Sequence, residues 1–320
     1  MRAFGVAEVL NERRFHDLEP QVSDKPRPKL PETPEAFSSF GEPLSRQPLR
    51  PEVLKQQESL YEEALGEWEA RPDDADAIIW LGRRTAYLGR LRDACAIFSM
   101  GIERHPTDPR MLRHRGHRFI SLRLFDQAID DLERAAELVE GQPDEVEPDG
   151  LPNERNIPVS SLQFNIWYHL ALAYYLVGDY ESALECYKEC MKVSDIPDKL
   201  VATTHWMYMT LRLLGREEEA EDLLVPIKED MDIIENQFYH RCLLMYKGLV
   251  EPGILMDEAR AMGPLAVATV GYGVGNWYKY NGSEETATEI FNEILDTGGW
   301  AGFGYIAAEA DLRWMSLPQD

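Results

Sequence analysis

What this chain lacks narrows it first. No stretch approaches the roughly 20 apolar residues that a membrane-crossing helix needs. The opening Met1, Arg2, Ala3, Phe4, Gly5 and Val6 is followed by Glu8, Asn11, Glu12, Arg13 and Arg14, with no apolar leader core. Cysteine is scarce. Cys95, Cys186, Cys190 and Cys242 form no disulfide framework, which points to a reduced, cytoplasmic protein with thiols packed as small apolar groups. Positive charge is also short: 33 Lys+Arg against 57 Asp+Glu leave a net −24. Such a surface repels phosphate backbones and anionic headgroups, so neither nucleic acid nor membrane is an expected partner. Nucleophile elbow, phosphate loop, dinucleotide fingerprint and zinc-protease motif are all missing, so no cofactor is expected. His114 and His117 have metal-compatible spacing, but no convergent carboxylate or thiolate motif accompanies them, and no metal site is assigned.

What is present is a repeat. Gly82 and Gly116 stand 34 residues apart, as do Ala94 and Ala128, Phe98 and Leu132, and Gly101 and Ala135. A period of this size means stacked two-helix units, each burying its apolar face against a neighbour. The product is a curved solenoid with a hollow side.

Residues 1–50 break that pattern. Pro20, Pro26, Pro28, Pro31, Pro34, Pro43 and Pro48 predict an extended arm, whose second half can dock through Phe37, Phe40 and Leu44. A helix over about 51–71 lines Tyr61, Ala64, Leu65 and Trp68 on one face. The first unit, 75–108, carries Leu81, Gly82, Gly89, Ala94, Phe98 and Pro106. The second, 109–138, carries Leu112, Gly116, Phe119, Phe125, Ala128, Leu132 and Ala135. The third, 164–197, is the clearest, with Trp167, Leu170, Ala171, Tyr174, Gly178, Tyr180, Ala183, Tyr187 and Cys190.

This set resembles the tetratricopeptide repeat family. The resemblance implies an all-α, right-handed α-solenoid of helix-turn-helix units over about 75–297. Looser units follow at 201–230, 234–262 (broken at Glu251, Pro252 and Gly253) and 268–297, with a capping helix at 300–316. Residues 139–161 form an inserted acidic, proline-rich loop, longer than inter-repeat turns need and therefore a candidate cover for the hollow face.

In this family the hollow face comes from set positions of the first helix of each unit. Projected here, those positions bring Arg83, Tyr87, Arg113, His117, Asn165, Tyr168, Tyr175, His205, Arg212 and Tyr272 to one groove, basic and tyrosine-rich inside an acidic shell. Such a groove attracts anions and offers directed donors to carboxylate or phosphate. The first reading is a binding protein for an anionic peptide or small acid. The second is an enzyme using His117 and His205 as acid and base on an anionic metabolite. A third is an assembly scaffold that binds a protein through its outer face. The family's carboxylate clamp for chaperone tails is not supported, because Ile79 and Arg83 occupy its first positions.

Overall fold

The computed structural model describes residues 33–316; residues 1–32 and 317–320, with most of the arm's prolines, lie outside them. Among the described residues the chain is all-α apart from one two-residue hairpin. The order is β1 (Ala36–Phe37), β2 (Pro43–Leu44), α1 (Pro51–Ala70), then hairpins α2 (Ala75–Tyr87) with α3 (Leu91–Arg104), and α4 (Pro109–Ser121) with α5 (Phe125–Val139). After the insertion come α6 (Leu162–Leu176) with α7 (Tyr180–Lys192), α8 (Pro197–Leu213) with the short α9 (Glu217–Leu223), and α10 (Gln237–Tyr246) with α11 (Pro252–Met262). The stack closes with α12 (Pro264–Tyr280), α13 (Glu284–Asp296) and α14 (Phe303–Met315).

Local chemistry explains the helix starts and stops. Asp74, Asp108 and Asp179 accept from the backbone N–H of Ala77, Arg110 and Ser182, satisfying orphan donors of α2, α4 and α7. Pro252, read as a break, instead opens α11 within its first turn, where a missing N–H costs nothing. Gly89 and Gly178 end α2 and α6 in the left-handed region. In the second unit that place is taken by Arg123 at φ 63°, an uncommon conformation for a side chain with a Cβ.

The period of 34 has a packing cause. A Cβ on Gly82 would sit 2.4 Å from Phe98 Cε1, and one on Gly116 would sit 2.7 Å from Leu132 Cγ. Each glycine lets the two helices of its hairpin close on the large side chain opposite, and the next unit repeats the pair.

The winding is tight. α12 packs on α8 across the hollow, and α14 packs on α12, α13 and α6. The helix expected to cap the stack therefore also closes its interior. The hairpin at 35–46 ties the first unit to the final helix: Arg92 N–H and Nε donate to Glu35 Oε2 and its carbonyl at 3.1 and 2.6 Å. At the other end, Ser39 N–H and Oγ donate to Glu309 Oε1 at 2.8 and 2.9 Å, and Trp300 Nε1 to the Ser45 carbonyl at 2.7 Å. Ala36 and Leu44 are the buried anchors; Phe37 and Phe40, expected to dock, face solvent. No helix among the described residues is long and apolar enough to cross a membrane.

Candidate functional site

α2 and α4 stand side by side, and helical spacing aims Arg83, Tyr87, Arg113, His114, His117 and Arg118 at the space between them. The insertion covers that space. Its backbone turns back on itself through a bridge between Val146 and Ser161, carrying Glu147, Pro148 and Asp149 across the opening. The partly covered cavity that results is about 200 Å³.

The lid is held by arginines. Arg83 Nη1 donates to the Pro148 carbonyl at 2.8 Å, and Arg84 Nη1 to the Gly150 carbonyl at 2.9 Å. Arg113 Nε lies 3.0 Å from Glu147 Oε2, with both side chains nearly buried. Asn165 Nδ2 donates to Glu147 and to Ser160 Oγ at 3.1 and 3.3 Å. Arg118 is different: its recorded polar partner is His117 Nδ1, at 2.7 Å, and it pairs with no carboxylate among the described residues. Burial first, then repulsion from Arg113, lowers its guanidinium to about 10. The cavity thus gathers three guanidiniums against two lining carboxylates.

The imidazoles here are neutral. Burial, reinforced by Arg113, pushes His114 well below the ordinary range; burial and Arg118 do the same to His117, and burial and Arg113 to His169. Arginine can only donate, so His114 Nδ1 accepts from Arg113 at 2.8 Å and His117 Nδ1 accepts from Arg118. His169 takes the other tautomer, donating from Nδ1 to the Asn165 carbonyl at 2.5 Å. His117 stacks on His169 at 4.3 Å and meets Phe303 of α14 at 5.2 Å. α14 therefore forms the inner wall beside this cluster.

Of the residues projected onto the groove, Arg83, Tyr87, Arg113 and His117 meet at this cavity, with Asn165 at its edge. The others go elsewhere. Tyr168 bonds to Tyr239 at 3.2 Å in the interior. His205 is fully buried, stacked between Tyr239 and Tyr246 at 4.8 and 5.8 Å, and burial lowers it to about 3. It lies in a different ring cluster from His117, so the two do not form an acid–base pair. Tyr175 and Tyr272 share a 2.6 Å hydrogen bond, and Tyr272 donates onward to Asp311 at 3.0 Å, which also accepts from Lys279 at 2.7 Å. Arg212 turns to Glu217 at 2.6 Å and lies over the Tyr280 ring. The continuous basic groove is therefore replaced by one small basic cavity and a packed aromatic interior.

Sequence reasoning missed Arg118, Glu147 and Asp149. Arg118 belongs to the densest basic run in the chain, which was the available signal. The lid residues sit in an irregular loop whose landing place no periodicity specifies.

A family comparison matches residues 164–194, the third unit, to the tetratricopeptide repeat. No curated protein matches the chain significantly. Solved structures with a similar course include a tetratricopeptide repeat protein from Parabacteroides merdae, at 15% identity and TM-score 0.44, covering 82% of this chain and 98% of that one. YrrB, described as a TPR protein with an unusual peptide-binding site, is 16% identical at TM-score 0.42, covering 74% and 93%. Repeats of a putative kinesin light chain from Podospora anserina are 16% identical at TM-score 0.41, covering 71% and 95%. Likeness at this level carries no inference about ligand.

Proposed function

We propose that this chain, a tetratricopeptide-repeat protein, is a binding protein that takes a small anionic head group into the cavity between α2, α4 and the insertion. The observation that carries this is Arg118, a guanidinium without a carboxylate partner among the described residues, in a largely desolvated cluster beside Arg83 and Arg113. Such an arrangement is costly unless an anion completes it. A water molecule occupies about 30 Å³ in the liquid. The cavity of about 200 Å³ therefore suits a phosphate, a dicarboxylate or one acidic side chain, rather than a length of peptide backbone.

Binding is favoured over catalysis because the imidazoles beside the cavity are neutral and engaged, and because His205 lies elsewhere. The unpaired, buried thiols accord with a reducing, cytoplasmic setting. Thermal-shift titration with inorganic phosphate, a phosphomonoester and small dicarboxylates tests the reading. A bound anion raises stability as RT ln(1 + [L]/Kd). Saturable stabilisation that disappears in Arg118→Gln, with the unliganded melting temperature kept, supports it. A flat response to every anion, or equal shifts in the variant, overturns it.

A further inference from the structure

A second arrangement lies on the outer side of units two and three, away from the arginine cavity. Three helices each contribute one stripe to a groove of about 940 Å³. On α5, Glu133 and Glu137 recur at i and i+4, with Glu140 following just past the helix end; on α7, Glu181, Glu185 and Glu189 recur at i, i+4 and i+8. The four-residue spacing places carboxylates in a row along one face of each helix. Between the rows, α6 supplies Trp167, Leu170 and Tyr174 as an apolar floor. Among the described residues no lysine or arginine lines the groove.

General acidity does not account for this pattern. Glutamates four apart on one face repel and weaken their own helix, so two such rows facing one apolar floor have a structural cost. Neutralisation within the chain is incomplete. Lys188 and Lys192 reach Glu185 and Glu189, each at 2.6 Å, and Arg216 comes within 3.8 Å of Glu181. Tyr174 donates its hydroxyl to Glu133. Glu137 and Glu140 have no cationic partner among the described residues. Trp167 and Tyr174 remain only half-buried, leaving ring surface open in the groove.

We propose that this groove seats a cationic amphipathic helix of a protein partner. Charge complementarity selects the occupant. The α7 row extends over two helical turns, about 12 Å at 1.5 Å per residue, and the α5 row over one. That matches the lysines or arginines flanking the apolar edge of a helix, whose aliphatic side chains would lie against Trp167, Leu170 and Tyr174. This is helix-in-groove recognition, with apolar anchors giving affinity and flanking charge giving orientation.

The probe is a fluorescein-labelled synthetic leucine–lysine helix, leucines at i, i+4 and i+7, titrated into the full chain and followed by anisotropy. Two control peptides share its length: one with scrambled order and one with glutamate for lysine. Saturable, salt-sensitive binding is expected for the first peptide alone. The exposed triple Glu137→Gln, Glu140→Gln, Glu181→Gln should weaken it roughly tenfold. The charge-matched triple Glu218→Gln, Glu221→Gln, Glu229→Gln should leave it unchanged, and circular dichroism should show both variants folded. Equal binding of the scrambled peptide, or equal weakening by both triples, reduces the effect to bulk acidity and overturns the proposal. A dimer in sedimentation that the groove triple dissolves would make a second copy the occupant, which also overturns it.

Discussion

Arg123 donates from Nε and Nη2 to the two carboxylate oxygens of Glu309, at 3.2 and 2.9 Å, across the hollow of the stack. Glu309 is fully buried and Arg123 nearly so. The forked geometry lets a planar guanidinium satisfy both oxygens while Ser39 completes the shell. This pair accounts for the non-glycine residue in a left-handed turn: the side chain that glycine lacks is what reaches Glu309 of α14.

Breaking the pair from one side should be worse than removing it. Arg123→Gly relieves the backbone but strands a buried carboxylate, with an expected loss of about 3–5 kcal/mol. Adding Glu309→Gln should recover a substantial part, since a neutral amide still accepts from Ser39. Urea denaturation of the two singles and the double measures the coupling, and additive losses would contradict it.

Acid should destabilise the fold as pH falls through the range in which an unfolded chain protonates its histidines. His114, His117, His169 and His205 all have folded-state values depressed by burial, His205 to about 3, whereas the unfolded chain protonates them near 6.5. The unfolded state therefore binds more protons below pH 6.5. Stability is full above that value and falls as pH drops toward the folded values, by up to about 1.4 kcal/mol per unit for each histidine. Melting temperatures between pH 7.5 and 5.0 should decline steeply, and a flat profile would show that these rings are accessible to solvent.

Glu147 should behave as a built-in competitor. Glu147→Gln removes the carboxylate beside Arg113, so the unliganded protein should lose about 1–3 kcal/mol. Phosphate should then stabilise the variant more than the parent, because nothing charged must be displaced. A smaller phosphate response in the variant would show that Glu147 supports binding instead.

Cysteine chemistry offers a simple check on packing. Burial raises the thiols of Cys95, Cys186, Cys190 and Cys242 to about 12. At pH 8 iodoacetamide should label none in the folded chain and all in denaturant, read by intact mass.

Much of this was legible because repeats are local. Gly82 with Phe98 and Gly116 with Leu132 lie within single hairpins, so their spacing predicts both the helices and their contact. The aspartate caps are equally local. The hollow face was harder to read. Helical projection placed His205, Tyr175 and Tyr272 on inward positions, and inward they are. Whether inward means groove or core depends on small rotations between successive hairpins, summed over the stack. Here they sum to a winding that brings α12 onto α8, and the same positions become interior. Arg83, Arg113 and His117 stay beside a cavity because the insertion, rather than another helix, covers them. Nothing in the order of residues 139–161 indicates where their Glu147 would land.

A linear array of hairpins ordinarily frays from its terminal units, since each touches only its neighbours. The strand pair at 35–46 grips α3 with Glu35 and α14 with Ser39, and so fastens the first unit of the stack to its final helix. Loss of α14 then requires release of the strap from the first unit. Hydrogen exchange should accordingly find α3 and α14 as slow as the middle helices, and melting should occur as one cooperative event.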